Sequence, residues 1–457
     1  MEPGLPNRYG FMFQISSMKK CISGCWGLIG IGSMIVMAML PLPGFSAEGG
    51  PFYTLAESID KAVTDSPSIR AKQEAIAMAR YSELQSKADL LPTLSTSYEY
   101  THESEKDYLW PGFPVSTNEN YEWRATIEQP LFKGFSLTNQ VKLAGVKLEL
   151  AKIELEIEKH DIALKVKIAY FNVLKADRNV DVAAQALDSI REHVDVARSF
   201  LGVGKITEQD LMEAEVRYAD AQEDWIHAQN AAQLARATFS LLVSQPIETL
   251  FEIEDILTFE PLLPCKIDDY VRRALNRRLE LKAIDLNLRA VGLGKKINQS
   301  AYYPNISVRA DYIREGDGPE VNGSDFHKDE YWNASATLTW KFWQWGKVSY
   351  RIREKQSFQK QIKQTRVTEI NRITLEIKET VLLLEHAEMK IPITIKALKL
   401  AEENLRIQRK RYEMQISTSS EFIDAQYLLS EAQAHYYNAL YDHNLAKAKL
   451  IRALGDY

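Results

Sequence analysis

Cysteine, proline and glycine are scarce in parts of this chain, and each shortage excludes a class of structure. The 457 residues contain three cysteines, Cys21, Cys25 and Cys265, which are too few for a disulfide framework. Residues 136–201 contain no proline, and their one glycine is Gly145. An uninterrupted segment of this length predicts a single helix of roughly 100 Å, at 1.5 Å per residue.

The sequence also lacks motifs for catalysis, metal binding and nucleotide binding. Gly204 and Lys205 resemble part of a phosphate-binding loop, but Ser199 and Ile206 stand where that loop needs a glycine and a hydroxyl residue. The eight histidines form no HExxH pair, and we expect them on helix surfaces. The net charge of −6 does not indicate the positively charged surface that nucleic-acid binding requires. We therefore predict no enzymatic activity, no metal and no cofactor.

A long uncharged hydrophobic run lies near the amino terminus, from Cys21 to Leu40. It follows Lys19 and Lys20 and ends at prolines and small residues, which is the pattern of a secretory signal peptide. We predict that residues 1–47 are an upstream extension and a signal peptide, absent from the mature chain. A retained anchor is the alternative, because about 20 apolar residues can span a bilayer.

Small or apolar residues recur every seven positions along the long proline-free segment. One stripe comprises Val141, Leu148, Leu155, Ile162, Ala169, Ala176, Ala183, Ile190 and Ala197. A second stripe, two residues further on, comprises Leu143, Leu150, Ile157, Leu164 and Phe171. Seven-residue repeats are seams of coiled coils, and seams on nearly opposite sides predict a neighbour on each side. The helix then belongs to the wall of a tube or sheet of helices, or to a rod-like coiled coil.

Alternation of polar and apolar residues with a period of two predicts four strands, arranged as two hairpins. The predicted strands are 93–101, 121–130, 305–313 and 331–342. Their apolar faces are rich in aromatic residues, as in the interfacial girdles of membrane barrels. The members of this predicted girdle are Tyr98, Tyr121, Trp123, Trp332, Trp340 and Phe342. The opposite faces carry Thr, Ser, Glu, Arg, Asn and Asp, which suits a watery interior.

The second half of the chain repeats the first at an offset of 211 or 212 residues, so that Pro92 meets Pro304 and Thr207 meets Thr418. The predicted first repeat is 48–243, with helices 55–90, 136–201 and 208–243. A connector at 244–266 leads to the second repeat, 267–457, with helices 268–301, 347–414 and 418–454. Pro392 is expected to interrupt the regular hydrogen bonding of the second long helix and to kink it.

These elements predict a mainly α fold with a small β part and an internal duplication. In each repeat, two shorter helices placed end to end match the long one, which builds a wall of long helical hairpins. Strands of about ten residues can cross a bilayer, but four strands cannot close a barrel, so several protomers must share one. Eight-stranded barrels are packed inside, which favours a hollow trimeric barrel of twelve strands. A soluble sandwich face packed on helices is the alternative.

The chain resembles the TolC family of outer-membrane efflux channels over nearly all of residues 52–455. The matching residues are Thr54-Leu55, Ala62, Ser66-Pro67-Ser68, Leu91-Pro92, Gln129 to Gly134, Trp340 to Gly346, Val203 to Thr207 with Asp210, and Arg411 to Met414 with Asp424-Ala425-Gln426. The resemblance implies a homotrimer with a twelve-stranded outer-membrane barrel continuous with a periplasmic α-barrel. It also implies docking of a periplasmic adaptor (membrane fusion) protein and an inner-membrane pump.

The resemblance further implies roles for residues at the two helix turns. Glu421 and Asp424 resemble the acidic ring of the periplasmic gate, and Tyr412 with Gln209 and Asp210 resembles the contacts that close the tip. The turns expected at the tip and adaptor-docking surface carry Gly202, Gly204, Thr207, Gln415 and Thr418. Ser417 stands where several members have arginine, and Gln415 where glycine is usual, so the closing contacts are expected to differ. The residues alone leave open that both carboxylates are ordinary first-turn acids of a helix.

The sequence therefore predicts a passive, gated, porin-like exit duct in the outer membrane of a Gram-negative bacterium. It would serve a tripartite efflux system or a type I secretion system, and the sequence does not separate the two. A periplasmic coiled-coil scaffold or adaptor without a pore is the alternative, and its alternating strands would be soluble.

Overall fold

The structure is a computed structural model that describes residues 51–457, except 105–107, 111–112, 115–117, 257–258, 260, 262–265 and 324–327. The predicted signal segment, 1–47, lies outside the described residues, as does part of the predicted connector. The elements in chain order are β1 (Phe52–Tyr53), α1 (Leu55–Asp65), α2 (Pro67–Ala88), β2 (Thr93–His102), β3 (Tyr108–Trp110), β4 (Phe113–Pro114), β5 (Glu119–Lys133), α3 (Ser136–Gly202), α4 (Glu208–Leu242), β6 (Glu252–Ile253), α5 (Ile267–Arg277), α6 (Leu279–Gln299), β7 (Asn305–Gly316), β8 (Glu330–Thr339), α7 (Lys347–Glu413) and α8 (Ser419–Ala453).

The segment predicted as one helix at 55–90 is two helices, broken at Ser66. α1 starts at a capping box, in which Thr54 and Glu57 exchange backbone and side-chain hydrogen bonds of 3.1–3.2 Å. Pro67 is the first residue of α2, a position where its missing amide hydrogen costs nothing. The second repeat breaks at the equivalent residue, Arg278, between α5 and α6. The predicted helix 268–301 is therefore also divided.

The two long helices, α3 and α7, have 67 residues each and are flanked by shorter helices. α1, α2 and α4 pack on α3, while α5, α6 and α8 pack on α7. α3 also contacts α6 and α8, which gives it neighbours on two sides, as its two stripes predict. From those stripes Ile162, Ala169 and Phe171 are buried in the main hydrophobic core. The prediction of long helical hairpins in a duplicated, mainly α fold is confirmed.

Pro392 lies inside α7, which continues from Lys347 to Glu413, so the proline does not end the predicted helix 347–414. The kink expected at this residue stays a prediction. A proline removes one helical hydrogen bond and costs about 3 kcal/mol. Packing on either side offsets this cost. Ile391 is buried against Ala439 and Leu440 of α8.

A network of buried and half-buried charges joins four helices. Arg452 of α8 donates to Asp161 of α3 (2.6 Å) and to Glu280 of α6 (2.8 Å). Arg278, only 2% exposed, pairs with Glu280 (3.5 Å) and donates to Glu376 of α7. The break between α5 and α6 is thereby fixed to α7 and α8.

β2, β5, β7 and β8 form one antiparallel sheet in that order. Its register places Leu94 opposite Ile127, and Ala310 opposite both Ile127 and Ala334. The apolar residues of all four strands therefore share one face, as the alternation predicts. Among the described residues, no helix is both long and apolar enough to cross a bilayer.

β8 ends earlier than the predicted strand 331–342. Its last residue, Thr339, lies opposite Asn305, the first residue of β7, and the preceding Pro304 has no amide hydrogen to extend the ladder. Trp340 and Phe342 therefore lie after the strand rather than in it.

Candidate gate at the helix turns

The turn from α3 to α4 and the turn from α7 to α8 have the same geometry. Each is closed by two backbone hydrogen bonds in the Schellman arrangement that commonly ends helices. From amide to carbonyl, these bonds run Gly204 to Leu201 and Lys205 to Phe200 (both 2.9 Å), and Gln415 to Tyr412 (2.9 Å) and Ile416 to Arg411 (2.8 Å). The internal duplication therefore extends to the tip of both hairpins.

Gln415 adopts the left-handed backbone conformation that Gly204 adopts in the first turn. The φ angles are +60° for Gln415 and +73° for Gly204. A residue with a Cβ atom pays about 1 kcal/mol for this conformation, whereas glycine does not. The second turn is therefore locally strained where the first is not.

A threonine caps the helix that follows each turn. The Thr207 hydroxyl accepts from the Asp210 amide (3.2 Å), and the Asp210 carboxylate accepts from the Thr207 amide (2.9 Å). The Thr418 hydroxyl accepts from the Glu421 amide (3.3 Å). The hydrogen bonds from Thr207 hold the pKa of Asp210 below its usual value. Asp210, predicted as a closing contact, thus has a helix-capping role within its own hairpin.

Glu421 and Asp424 are both exposed in the first turns of α8. The Arg411 guanidinium lies 3.9 Å from the Glu421 carboxylate. Asp424 lines a groove of about 530 Å³ between α3, α4 and α8, together with Asp220 and Asp224 of α4. Asp424 therefore lies beside two further carboxylates and Arg217, whereas Glu421 faces Arg411.

Tyr412 is buried, and its hydroxyl has no hydrogen-bond partner among the described residues. Burial raises the pKa of Tyr412, and the negative charge of Asp210 raises it further. The structure thus brings Tyr412 near Asp210 without a hydrogen bond between them. Gln209 is exposed, and the Ser417 hydroxyl is buried and also has no partner in the described part of the chain.

His193 of α3 is a tip residue that sequence reasoning missed. It is buried, stacks on Phe422 with ring centroids 4.3 Å apart, and contacts the Tyr412 ring at 4.4 Å. A 2.7 Å hydrogen bond joins its Nε2 to the Ser419 hydroxyl. Burial, with the nearby Arg409 charge, lowers the pKa of His193 to about 4. These contacts tie α3 to the turn between α7 and α8.

The expectation that the histidines lie on helix surfaces is wrong for His160, His193 and His443, which are buried. The seven-residue stripe on α3 could have indicated that His193 is buried. It follows Ile190 by three residues, as Phe200 follows Ala197, so both rings occupy the second core position of one seam.

Aromatic residues form two bands, one on the apolar face of the sheet and one at the junction of the sheet with the helices. Near the hairpin loops, Tyr98 lies opposite Trp123 and Trp332 lies opposite Tyr312, while Tyr121 contacts Tyr100. Near the helices, the second band comprises Phe132, Phe135, Tyr302, Tyr303, Trp340 and Phe342. About nine residues of β5 separate the bands, or roughly 30 Å along the strand. With a tilt of about 40° this becomes roughly 23 Å, close to the apolar band of outer-membrane barrels.

Both edge strands of the sheet are paired on one side only within the described residues. β2 pairs with β5, and β8 pairs with β7. All ten residues of each edge strand are exposed. An open, apolar edge of this kind is a template for pairing with another chain.

The chain was compared with known families and solved structures. The family model described as outer membrane efflux protein matches residues 58–244 and 270–456, one match in each repeat. No curated protein sequence matches the chain.

Solved structures of outer-membrane channels share the fold at low sequence identity. The CmeC outer membrane channel of Campylobacter jejuni aligns with a TM-score of 0.77 and 14% identity, over 88% of this chain and 85% of that one. The outer membrane protein VceC of Vibrio cholerae gives 0.74 and 18%, over 88% and 96%. The MtrE outer membrane channel of Neisseria gonorrhoeae, in its open state, gives 0.72 and 17%, over 88% and 89%.

Proposed function

The chain belongs to the outer membrane efflux protein family, as its resemblance to TolC-type channels predicts, and from this premise we propose that it forms a trimeric channel-tunnel. The tunnel is the exit duct of a tripartite efflux system or a type I secretion system. It is passive, and it is gated at its periplasmic tip.

The observation that carries this proposal is a sheet with two aromatic bands and two edges that have no partner strand among the described residues. The bands are spaced for a bilayer, and a lipid-exposed sheet edge is not viable. β8 runs antiparallel to β2, because the sheet has four antiparallel strands. The β8 edge of one copy therefore meets the β2 edge of the next as a regular antiparallel pair. Such a head-to-tail interface closes into a ring when the rotation between copies divides a full turn, and three copies require 120°.

The helices support the same ring, because the flanks that follow each sheet edge expose apolar residues. On α7, beyond the β8 edge, these include Leu375, Leu382, Met389, Ile393 and Leu400. On α2 and α4, beyond the β2 edge, they include Met78, Tyr81, Met212, Val216 and Leu234. We propose that these two flanks pack on each other between protomers, which buries both.

The polar face of the sheet supports a hollow, watery barrel. The Thr126 hydroxyl donates to Asp311 (2.6 Å), and Arg309 donates to the same carboxylate (2.8 Å). Arg124 lies 3.9 Å from Asp311 and donates to Glu122 (2.7 Å). Charged groups of both signs suit water rather than hydrocarbon. Three copies supply twelve strands, enough for a channel.

At the tip, we assign Glu421 and Asp424 to an acidic ring formed by three protomers. Tyr412, Gln209 and Asp210 form the closing contacts between protomers. Gln209, Glu421 and Asp424 are exposed in the single chain, which supports their availability to a neighbouring protomer.

The turns at Gly202, Gly204, Thr207, Gln415 and Thr418 form the docking surface for a periplasmic adaptor protein. The adaptor connects the tunnel to an inner-membrane pump, which supplies the energy of transport. The exposure of these five residues in the single chain supports their availability to a partner.

Reconstitution tests the duct. Purified protein should migrate as a heat-modifiable trimer from the outer membrane and should conduct ions in planar lipid bilayers. A stable, water-soluble monomer without conductance would favour the alternative of a periplasmic scaffold.

The gate has a test of its own. The double variant Glu421→Ala/Asp424→Ala should weaken the block of conductance by trivalent cations, because three copies of both carboxylates concentrate negative charge in a narrow pore. Asp269→Ala, in α5 at the far end of the second repeat, is the control and should leave the block unchanged. Undiminished block in the double variant would remove both residues from the gate.

A further inference from the structure

A cavity of about 480 Å³ lies where the sheet meets the helices, between the start of α3 and the end of α6. Its lining combines three aromatic residues with two lysines, and it contains no carboxylate. The residues that matter here are Phe135, Tyr302, Tyr303, Lys142 and Lys296. A basic and aromatic lining suits an amphiphilic, anionic ligand.

The wall of this cavity is closely packed. Gly134 has a φ of +59°, and a Cβ atom at this position would lie 2.3 Å from the Ser300 carbonyl oxygen. Phe135 contacts the Tyr303 ring edge-on, with centroids 6.0 Å apart. The Trp340 indole donates to the Tyr302 carbonyl (3.2 Å). The strand-to-helix junction and the end of α6 are thereby held together around the cavity.

The register of the sheet shows which face the cavity adjoins. Phe132 lies opposite Ile306, and Ile306 lies opposite Leu338. All three belong to the apolar face, and Phe132 contacts both Phe135 and Tyr303. The aromatic wall therefore continues the proposed lipid-facing surface at its helix-side end.

Neither lysine of the cavity has an acidic partner within the described part of the chain. Lys142 and Lys296 are exposed, and no carboxylate oxygen among the described residues lies within 4 Å of either ammonium group. Elsewhere on these helices, Glu154 and Glu149 of α3 pair with Lys72 of α2 (3.0 Å) and Arg289 of α6 (3.6 Å). Two uncompensated positive charges thus flank the helix-side end of an apolar, aromatic surface.

We propose that this cavity binds the phosphate group of a glycerophospholipid in the periplasmic leaflet of the outer membrane. Lys142 and Lys296 pair with the phosphate, Tyr302 and Tyr303 lie at the level of the headgroup, and the acyl chains run along the apolar face above Phe132. This inference rests on the proposed function, because it requires the sheet to be embedded in lipid. Aromatic residues and snorkelling lysines are the groups that proteins place at this depth.

The internal duplication predicts one such site in each protomer. The repeat equivalents of Lys142 and Lys296 are Arg353 and Leu84, so these two positions carry one cation in the second repeat instead of two. Three lipids should therefore bind tightly to a trimer.

Native mass spectrometry of the detergent-purified trimer, titrated with defined lipids, tests the site. Phosphatidylglycerol should add up to three tightly bound molecules. In Lys142→Gln/Lys296→Gln, affinity should fall about thirtyfold, since each lysine near an anionic surface contributes about 1 kcal/mol. Lys147→Gln, on the same helix but outside the cavity, is the matched control and should bind as the unchanged protein does.

Titrations with different lipids separate the contribution of the phosphate from that of the acyl chains. Phosphatidylethanolamine should bind, diacylglycerol should not, and excess inorganic phosphate should compete poorly because it lacks acyl chains. Equal binding of diacylglycerol, or full phosphatidylglycerol binding by the double variant, would overturn the proposal. The double variant should still form trimers and conduct ions. Failure of the parent protein to form trimers or to conduct ions would instead count against the proposed function.

Discussion

At the scale of single residues, His193 gives the tip a dependence on pH. Burial and the nearby Arg409 charge lower the pKa of His193 from its usual value of about 6.5 to about 4, so the packed tip binds a proton less readily than an opened one. Stability is therefore complete above pH 6.5 and is lost as the pH falls from 6.5 towards 4. At pH 4.5 the loss is about 2 kcal/mol per protomer. His193 and Arg409 line a cavity of about 110 Å³ together with Glu192 and Glu413, which are the acidic residues on its wall.

We predict that acidification from pH 7 to pH 4.5 increases the open fraction of single channels, because a protonated His193 is unfavourable at a buried position beside Arg409. His193→Phe keeps an aromatic ring in the stack and should remove most of this dependence. His435→Phe, at an exposed position of α8, serves as the control and should retain it. Identical pH profiles for the His193→Phe variant and the parent would exclude this residue as the sensor.

Gln415 allows a second prediction, with its control supplied by the duplication. Gln415→Gly should stabilise the second turn by about 0.5–1 kcal/mol, because glycine adopts a positive φ without a steric cost. Gly204→Gln imposes the same strain on the first turn and should destabilise it by a similar amount. Hydrogen exchange of the tip amides in the two variants measures both effects. Changes of the same sign would contradict the role assigned to backbone strain.

Sequence reasoning identified some tip residues and missed others for a physical reason. The capping pattern of Thr207 with Asp210 depends on local spacing, so it is visible in the sequence. The contact of His193 with Phe422 joins residues 229 positions apart, and only the packing of α3 on α8 brings them together. A residue type and a heptad position indicate burial, but they do not identify the partner.

At the scale of helices and strands, sequence periodicity predicted the elements that both helix or strand propensity and tertiary packing favour. The long helix expected at 136–201 is observed at Ser136–Gly202, because seven-residue stripes and helical geometry agree over its whole length. The predicted helices 55–90 and 268–301 are instead each divided in two. At Arg278 the division has no proline to mark it, and it coincides with a tertiary charge network that the sequence does not display.

That network predicts an unequal effect of two neighbouring arginines in the segment 273–278. Arg278→Met should cost about 3 kcal/mol, because it leaves Glu376 and Glu280 short of a buried partner. Arg273→Met removes an exposed pair with Asp456 (2.7 Å) and should cost less than about 1 kcal/mol. Thermal loss of helical circular dichroism in detergent measures both. Equal shifts would show that the network does not hold the break between α5 and α6.

At the scale of the whole molecule, the sheet and the helical layer each leave two sides of the protomer without a partner among the described residues. The sheet lacks partners at β2 and β8 within the described residues, and the helical layer exposes apolar flanks on the same two sides. A rotation that pairs the β8 edge of one protomer with the β2 edge of the next must therefore also bring their apolar helix flanks together. The number of copies is fixed by the curvature of the sheet and helices together, which no local pattern in the sequence encodes.

Disulfide cross-linking tests this ring directly, in a background with Cys265→Ser. Ser97 of β2 and the residues Asn333, Ser335 and Thr337 of β8 all lie on the polar face of the sheet. Cysteine at Ser97, combined in turn with cysteine at each of the other three positions, scans the register between neighbouring copies. One combination should give covalent trimers under oxidation, with no larger species, because a closed ring leaves no free edge. Ser97→Cys with Ala334→Cys is the control, since Ala334 lies on the opposite face and cannot reach. A ladder extending beyond three copies would indicate an open filament, and dimers alone would indicate that a different surface joins the protomers.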